Sequence, residues 1–177
     1  DGIDIKDIKY QSIRKHIGQM LQDVFLFNDT IDKNIRLNND DIKKEDVLAA
    51  SKYVGAHSFI DKIPGKYDHM VLERGNNFST GQRQLISFAR AVVTKPKLLI
   101  LDEATANIDS ESEEIIQDSL KRIMQDQTMI IVAHRLSTIQ HSDKIIVLHK
   151  GRIVEEGNHQ ELLRNEGLYY NLYMIQF

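Results

Sequence analysis

Apolar positions along the chain follow two different spacings, and together they predict an α/β fold. Short apolar runs at 98–101, 129–133 and 145–148 are separated by stretches of helical periodicity, such as the acidic amphipathic stretch 111–124. Apolar strands separated by helices are typical of a parallel sheet with helices on both faces. We therefore expect the α/β class with a parallel sheet.

The first half of the chain combines weak strand patterns with a long helical region. The strand patterns lie at 2–5 and 18–22. Between 29 and about 95 the pattern is helical, because apolar residues fall on one face of 42–54 and of 83–94. We predict a helical insert here, placed between strands of the sheet.

The end of the chain predicts a hairpin and a broken helix. Two strand-like runs, 144–149 and 152–156, flank Lys150-Gly151, which is typical of a β-hairpin. Asn158 is then placed to cap a final helix, and Gly167 is expected to interrupt that helix.

Composition narrows the class of protein further. The 177 residues are 41% hydrophobic and 28% charged, with a formal net charge of -3. This balance is typical of a folded globular domain. No basic stripe stands out in the sequence, and this argues against a nucleic-acid partner. The chain has no cysteine, which excludes disulfides and thiolate chemistry.

Two acidic residues, Asp102 and Glu103, follow the apolar run 98–101. The carboxyl ends of parallel strands are where α/β sheets bind ligands, and successive strand residues face opposite sides. One division of roles assigns Asp102 to a Mg²⁺ ion and Glu103 to an attacking water, as general base. The alternative is a strand that simply ends in polar residues at the surface.

A second candidate site, Phe78-Ser79-Thr80-Gly81-Gln82, precedes the helical run 83–94. Ser79 with Gln82 three residues later has the form of a capping box, which is a structural role. A helix N-terminus with a serine, free backbone amides and a glycine is also suited to binding an anion. The residues alone leave both interpretations open.

Two single residues are candidates because of their positions. His134 directly follows the apolar run 129–133, at a carboxyl end level with Glu103, and Gln22 closes the strand pattern at 18–21. A lone histidine is usually structural or exposed, and the glutamine by itself indicates nothing.

Taken together, these residues resemble the nucleotide-binding domain of ATP-binding cassette (ABC) transporters in type, order and spacing. One matching pentapeptide could arise by chance, but five motifs in register do not. The five are the Q-loop glutamine Gln22, the signature segment 78–82, the Walker B aspartate Asp102 with the catalytic glutamate Glu103, the D-loop 106–109 ending in Asp109, and the switch histidine His134.

Further segments resemble the exporter branch of that family, namely 30–35, 59–68, 73–75, 133–139 and 157–163. The resemblance implies one nucleotide-binding domain over residues 1–177. Within it, about 29–95 would be the helical subdomain, and 1–28 with 96–177 the remainder of a RecA-like core of the P-loop NTPase type. It also implies transmembrane domains of the same transporter and a place at the cytoplasmic face of the cell membrane.

The resemblance further implies ATP hydrolysis that powers export, with ATP and Mg²⁺ bound between two cassettes packed head to tail as a homodimer or heterodimer. In that arrangement each motif residue has an expected partner. The γ-phosphate held by the other cassette is expected to face Ser79, Thr80, Gly81 and Gln82. The metal is bound by Asp102 and Gln22. Glu103 acts on the attacking water, His134 contacts the γ-phosphate, and Asp109 lies at the dimer interface.

The chain departs from the family pattern at four positions. Thr80 replaces the first glycine of the signature Leu-Ser-Gly-Gly-Gln, and Phe78 replaces its leucine. A β-branched residue restricts the backbone, so we expect Thr80 to alter phosphate affinity. Ala106 and Asn107 replace the usual Ser-Ala of the D-loop, which removes a serine hydroxyl from the expected dimer contact.

A phosphate-binding P-loop, Gly-x-x-x-x-Gly-Lys-Ser/Thr, does not occur in the sequence. Its only Gly-Lys pair, Gly65-Lys66, has Ile60 and Tyr67 where the motif requires glycine and Ser or Thr. We therefore expect the chain to be a fragment that lacks the Walker A region, and we expect the fragment alone to be inactive.

Two other functions fit parts of the pattern. A non-transport ABC ATPase, for example in DNA repair or translation, shares these motifs, although the exporter-like insert and the lack of a basic patch argue against it. A catalytically idle binding or regulatory module is the other alternative. The presence of Glu103 and His134 argues against an idle site, whereas Thr80 leaves room for one.

Overall fold

The computed structural model describes residues 2–21, 23–102, 110–133 and 135–176. The chain forms two compact units, Asp1–Val132 and Ala133–Phe177. Each unit has its own buried hydrophobic cluster.

Three parallel strands form the sheet of the first unit, in the order β1-β2-β3. Met20 of the first strand lies opposite Leu101 of the second, and Asp102 lies opposite Val132 of the third. The strands predicted at 18–22, 98–101 and 129–133 are therefore adjacent and parallel, as the α/β class requires, whereas the apolar run 145–148 lies in a separate antiparallel sheet. Their bounds are β1 Ile17–Met20, β2 Leu98–Asp102 and β3 Thr128–Val132.

Helices make up most of the rest of the first unit, and they confirm the helical patterns at 42–54, 83–94 and 111–124. They are α1 Tyr10–Arg14, α2 Ile31–Arg36, α3 Lys44–Tyr53, α4 His57–Ile60, α5 Thr80–Val92 and α6 Ser110–Asp126, with 3₁₀ turns at Ile5–Asp7, Lys66–Asp68 and Glu73–Gly75.

One face of the sheet carries the core of the first unit. Met20, Leu99 and Leu101 are almost completely buried on that face and belong to a cluster with side chains of α5 and α6. Gly18 lies on the same face, where an added Cβ would be 2.6 Å from the carbonyl oxygen of Ala91 in α5. The missing side chain at Gly18 therefore allows α5 to pack closely on β1. On the opposite face, Ile130 and Val132 are each 52% exposed.

The second unit is built on an antiparallel hairpin, which confirms the prediction for this part of the chain. Its turn is Lys150-Gly151, where both residues have positive φ, and a β-bulge lies between Val147 and Leu148. The elements are α7 Leu136–Ile139, β4 Ile145–His149, β5 Arg152–Gly157, α8 His159–Arg164 and α9 Leu168–Gln176. The buried hydrophobic side chains among the described residues of this unit are Leu136, Ile145, Val147, Leu162 and Tyr169.

The final helix is capped and interrupted where the sequence predicts. Asn158 forms a capping box with Glu161 at the start of α8, and Gly167 separates α8 from α9. The carboxylate of Glu155 accepts hydrogen bonds from the backbone amides of Leu168 and Tyr169. An added Cβ at Gly167 would collide with that carboxylate, so the helix break also makes room for the cap of α9.

The strand predicted at 2–5 is wrong. The segment instead leads into the 3₁₀ turn Ile5–Asp7, whose cap is Asp4, because the Asp4 carboxylate accepts a hydrogen bond from the amide of Lys6 at 2.9 Å. A local bond of this kind competes with strand formation. Ile3 and Ile5, which lie on either side of Asp4, are both exposed. Their alternating pattern therefore does not correspond to a buried strand face.

Candidate functional site

The structure describes some of the predicted site residues and not others. The signature residues Ser79, Thr80, Gly81 and Gln82 and the Walker B residue Asp102 lie within the described ranges. The predictions for the Q-loop, the catalytic glutamate, the D-loop and the switch histidine fall on residues outside them, namely Gln22, Glu103, Ala106, Asn107, Asp109 and His134.

Ser79 caps the helix that begins at the signature segment. Its hydroxyl oxygen accepts a hydrogen bond from the amide of Gln82 at 3.2 Å, and the Gln82 side chain accepts one from the amide of Ser79 at 3.1 Å. The structural interpretation of this pair as a capping box is therefore confirmed.

The N-terminus of the same helix, α5, is also electrostatically suited to binding an anion. The 13-residue helix α5 has no acidic residue in its first turn, and Ser79 is exposed. Unpaired amides and the helix dipole give such an end a partial positive charge. The cap and the anion site are compatible, because the bond from Gln82 occupies only the serine oxygen and leaves its hydrogen available for donation.

Arg83 fixes the turn that contains the signature, and it was missed by the sequence reasoning. Its Nη1 donates to the carbonyl oxygen of Phe78 at 2.9 Å, and its Nη2 donates to the hydroxyl oxygen of Thr80 at 3.0 Å. A spacing of three residues places Thr80 and Arg83 on one side of the helix, which is the signal that could have identified the pair.

Gly75 allows the stem of Arg83 to lie against the preceding loop. Its φ is +75°, a conformation that favours glycine, and an added Cβ would lie 2.9 Å from Cδ of Arg83 and 3.0 Å from Cδ1 of Leu26. This glycine therefore sets both the course of the loop and the position of the arginine.

Phe78, which stands where the family signature has leucine, fills an aromatic cluster. It is 7% exposed, and its ring meets the rings of Phe59 and His69 edge-on at centroid distances of 6.2 Å and 5.8 Å. Asn77 holds the loop beside it, accepting from the amide of Leu72 and donating to the carbonyl of Met70, both at 3.0 Å. The larger side chain at position 78 is therefore accommodated within the helical region.

Asp102 ends the central strand, as predicted. It is half-buried and lies opposite Val132, at the edge of the sheet where all three parallel strands have their carboxyl ends. Within the described ranges no group of three or more metal-binding side chains occurs. A carboxylate oxygen is nevertheless the ligand type that Mg²⁺ prefers, so Asp102 fits a role as a metal ligand.

A half-buried arginine links the far end of α5 to the segment that follows Gln22. Arg90 donates to the backbone oxygen of Asn34 at 2.8 Å, to its side-chain oxygen at 3.2 Å and to the backbone oxygen of Phe25 at 2.9 Å. Burial lowers the pKa of Arg90 to about 10. Phe25 and Phe27 form an edge-to-face pair at 5.1 Å, and both are half exposed.

Comparison with known proteins identifies the class. The family model described as ABC transporter matches residues 1–106, and the chain therefore belongs to the ABC transporter family. YheH of Bacillus subtilis, named a probable multidrug resistance ABC transporter ATP-binding/permease protein, is 47% identical over 99% of this chain and 26% of its own length. An ATP-dependent lipid A-core flippase of Syntrophus aciditrophicus is 44% identical over 100% of this chain and 30% of its own length.

A solved structure shares the fold. The structure of a bacterial Atm1-family ABC exporter with ATP bound matches with a TM-score of 0.89 and 40% identity, over 99% of this chain and 31% of that one. The chain thus spans less than a third of the length of these relatives. In the described part of the chain, no helix combines the length and the hydrophobicity needed to cross a membrane.

Proposed function

We propose that this chain is part of the nucleotide-binding domain of an ABC exporter, and that the full-length protein hydrolyses ATP to drive transport across a membrane. The observation that carries the proposal is the order of the sheet: the strand before Gln22, the strand that ends at Asp102 and the strand before His134 are adjacent and parallel. The carboxyl ends of such strands lie at one edge of the sheet, where α/β sheets bind ligands.

Each predicted site residue has a proposed task. Asp102 and Gln22 bind Mg²⁺, which would neutralise charge on the phosphates when bound. Glu103 accepts a proton from the attacking water as general base. His134 donates a hydrogen bond to the γ-phosphate and fixes its orientation.

The site is completed by a second cassette, identical or different, packed head to tail. The exposed Ser79 and the buried Gly81 both lie at the acid-free end of α5 and would face the γ-phosphate held by that second cassette. Asp109 would belong to the interface between the two. We propose that residues 29–95, which include α2 to α5, form the helical subdomain that carries this signature end.

The aromatic pair Phe25 and Phe27 is the proposed contact with the membrane-spanning part of the transporter. Each of the two residues is about half exposed, and Arg90 of the signature helix α5 donates a hydrogen bond to the backbone oxygen of Phe25. The name of YheH describes an ATP-binding/permease protein, so a permease segment in the same polypeptide would be the occupant. We propose accordingly that the domain works at the cytoplasmic face of the membrane.

The test of this proposal is ATP hydrolysis by the purified full-length protein in lipid, measured beside the 177-residue chain alone. We expect the full-length protein to release phosphate from Mg-ATP. The chain alone is expected to give only background rates, because no segment of it has the P-loop pattern that holds the phosphates. A full-length protein that neither binds nor hydrolyses ATP would overturn the proposal.

A further inference from the structure

The side-chain amide of Asn77 holds the loop that leads into the signature segment. Its oxygen accepts a hydrogen bond from the backbone amide of Leu72, and its nitrogen donates to the carbonyl oxygen of Met70, both at 3.0 Å. A backbone N–H only donates and a carbonyl only accepts, so these bonds fix which end of the amide is oxygen and which is nitrogen. The amide nitrogen has a second hydrogen, and Nε2 of His69 lies 3.3 Å from that nitrogen.

The same reasoning fixes the protonation state of the His69 ring. Its Nδ1 lies 2.9 Å from the carbonyl oxygen of Pro64, which only accepts, so Nδ1 carries a hydrogen. Its Nε2 faces the amide nitrogen of Asn77, which only donates, so Nε2 accepts with its lone pair. Both bonds therefore form together only when the imidazole is neutral and its hydrogen is on Nδ1.

A proton on Nε2 of His69 would break the bond to Asn77. The new N–H would point at an amide nitrogen that has only hydrogens to offer. Turning the Asn77 amide over would not restore the bond without losing those to Leu72 and Met70. The ring is half-buried, and histidine is the side chain that changes its charge between about pH 5 and 8. The contact is therefore present when the ring is neutral and is lost as the pH falls.

In the described part of the chain, no carboxylate forms an ion pair with the His69 ring. Most charged side chains on the neighbouring elements have other partners, so they do not hold a proton on the ring. These neighbours are Asp68, Glu73 and Arg74 on the same loop, Lys66 paired with Asp61, Asp29 paired with Lys33, Asp32 paired with Arg36, and Arg83 bonded to Phe78 and Thr80.

The contact between His69 and Asn77 bears directly on the signature segment. Asn77 immediately precedes Phe78, and the His69 ring meets the Phe78 ring edge-on at a centroid distance of 5.8 Å. The backbone of His69 is held to α2, because its carbonyl oxygen accepts a hydrogen bond from the amide of Ile31 at 3.1 Å. His69 thus connects the start of the signature segment to the helix beside it.

We propose that neutral His69 is a positioning residue for the signature segment, and that protonation of His69 makes ATP hydrolysis by the full-length protein sensitive to acid. His69 acts through Asn77 and Phe78. This inference rests on the proposed function, in which the signature segment faces a phosphate. Loss of one hydrogen bond typically shifts an equilibrium by about two- to ten-fold, so protonation is expected to raise KM for Mg-ATP by that factor.

The test measures KM for Mg-ATP between about pH 8 and about pH 5.5 in the full-length wild-type protein and in His69→Gln. Glutamine offers Asn77 an uncharged amide oxygen and does not titrate in this range. We expect similar KM values at the upper pH. At the lower pH we expect a wild-type KM about two- to ten-fold above that of His69→Gln. Changes common to both proteins, in the nucleotide or in other titrating residues, cancel in this ratio.

His57→Gln is the matched control. Nδ1 of His57 lies 3.1 Å from the hydroxyl of Tyr67, and a hydroxyl can both donate and accept. That bond can therefore form whether or not His57 is protonated. The ratio of the wild-type KM to that of His57→Gln is expected to stay constant over the same pH range.

A ratio for His69→Gln that does not change with pH overturns the proposal. If this variant does not fold, Asn77→Asp takes its place, because a carboxylate accepts a hydrogen bond from protonated His69. Its hydrolysis relative to wild type is then expected to rise as the pH falls, and a constant or falling value overturns the proposal. In both failures wild-type hydrolysis remains and the proposed function stands. A wild-type protein without any ATP hydrolysis overturns the proposed function and this inference together.

Discussion

Replacing Glu103 with glutamine in the full-length protein is expected to lower ATP hydrolysis by about 10²- to 10⁴-fold, the usual contribution of a general base. Glutamine has nearly the same size and can still form hydrogen bonds to water. It cannot accept the proton that leaves the attacking water. ATP binding is therefore expected to persist while turnover stops.

The measurement pairs phosphate release with equilibrium binding of ATP to the same preparation. Glu114→Gln is a matched control, since Glu114 is an exposed acid on α6 and should leave both quantities unchanged. Wild-type turnover in Glu103→Gln would remove this residue from the role of base. Joint loss of binding and hydrolysis would instead place Glu103 among the groups that hold the nucleotide.

Replacing Ser79 with aspartate should lower ATP hydrolysis by more than about a hundred-fold while the fold stays intact. Aspartate and asparagine cap helices about as well as serine, so α5 should keep its start. The new carboxylate would, however, face a phosphate. Two unit charges about 4 Å apart near a protein surface repel by on the order of 4 kcal/mol, which corresponds to a loss of more than a hundred-fold.

Ser79→Asn provides the neutral control for this variant. We expect near-normal thermal unfolding for both substitutions, and a much larger loss of hydrolysis for Ser79→Asp than for Ser79→Asn. Equal activity of the two variants would mean that Ser79 acts only as the cap seen in the structure. The comparison therefore separates the two interpretations that the sequence leaves open.

Much of the fold could be predicted because its signals are local. The run 98–101 is wholly apolar and forms the central strand, and Lys150-Gly151 supplies the turn of the hairpin. Asn158 with Glu161 identifies the start of α8. In each case a few neighbouring residues determine the element.

The errors and omissions arise where contacts with distant residues, or single hydrogen bonds, determine the local structure. The isoleucines at 3 and 5 suggested a strand, but the carboxylate of Asp4 caps a turn instead. Arg90 contacts Phe25 and Asn34, which precede it by 65 and 56 residues, and no local pattern reveals such a link.

The predicted site could be assembled from motifs only in part. The capping role of Ser79 and the place of Asp102 at a strand end are confirmed by the structure. The hydrogen bond from Arg83 to Thr80 depends on side-chain geometry. The spacing of the two residues suggests this bond but does not establish it. The roles of Gln22, Glu103, Asp109 and His134 stay predictions.

The most direct test of the convergence of these groups on one triphosphate is a structure of the full-length Glu103→Gln protein with Mg-ATP. The account predicts that the Asp102 carboxylate lies in the coordination sphere of Mg²⁺, with Gln22, position 103 and His134 around the same phosphates and Ser79 of a second cassette facing them. A structure in which the nucleotide binds away from Asp102, or in which no signature helix approaches its γ-phosphate, would contradict it.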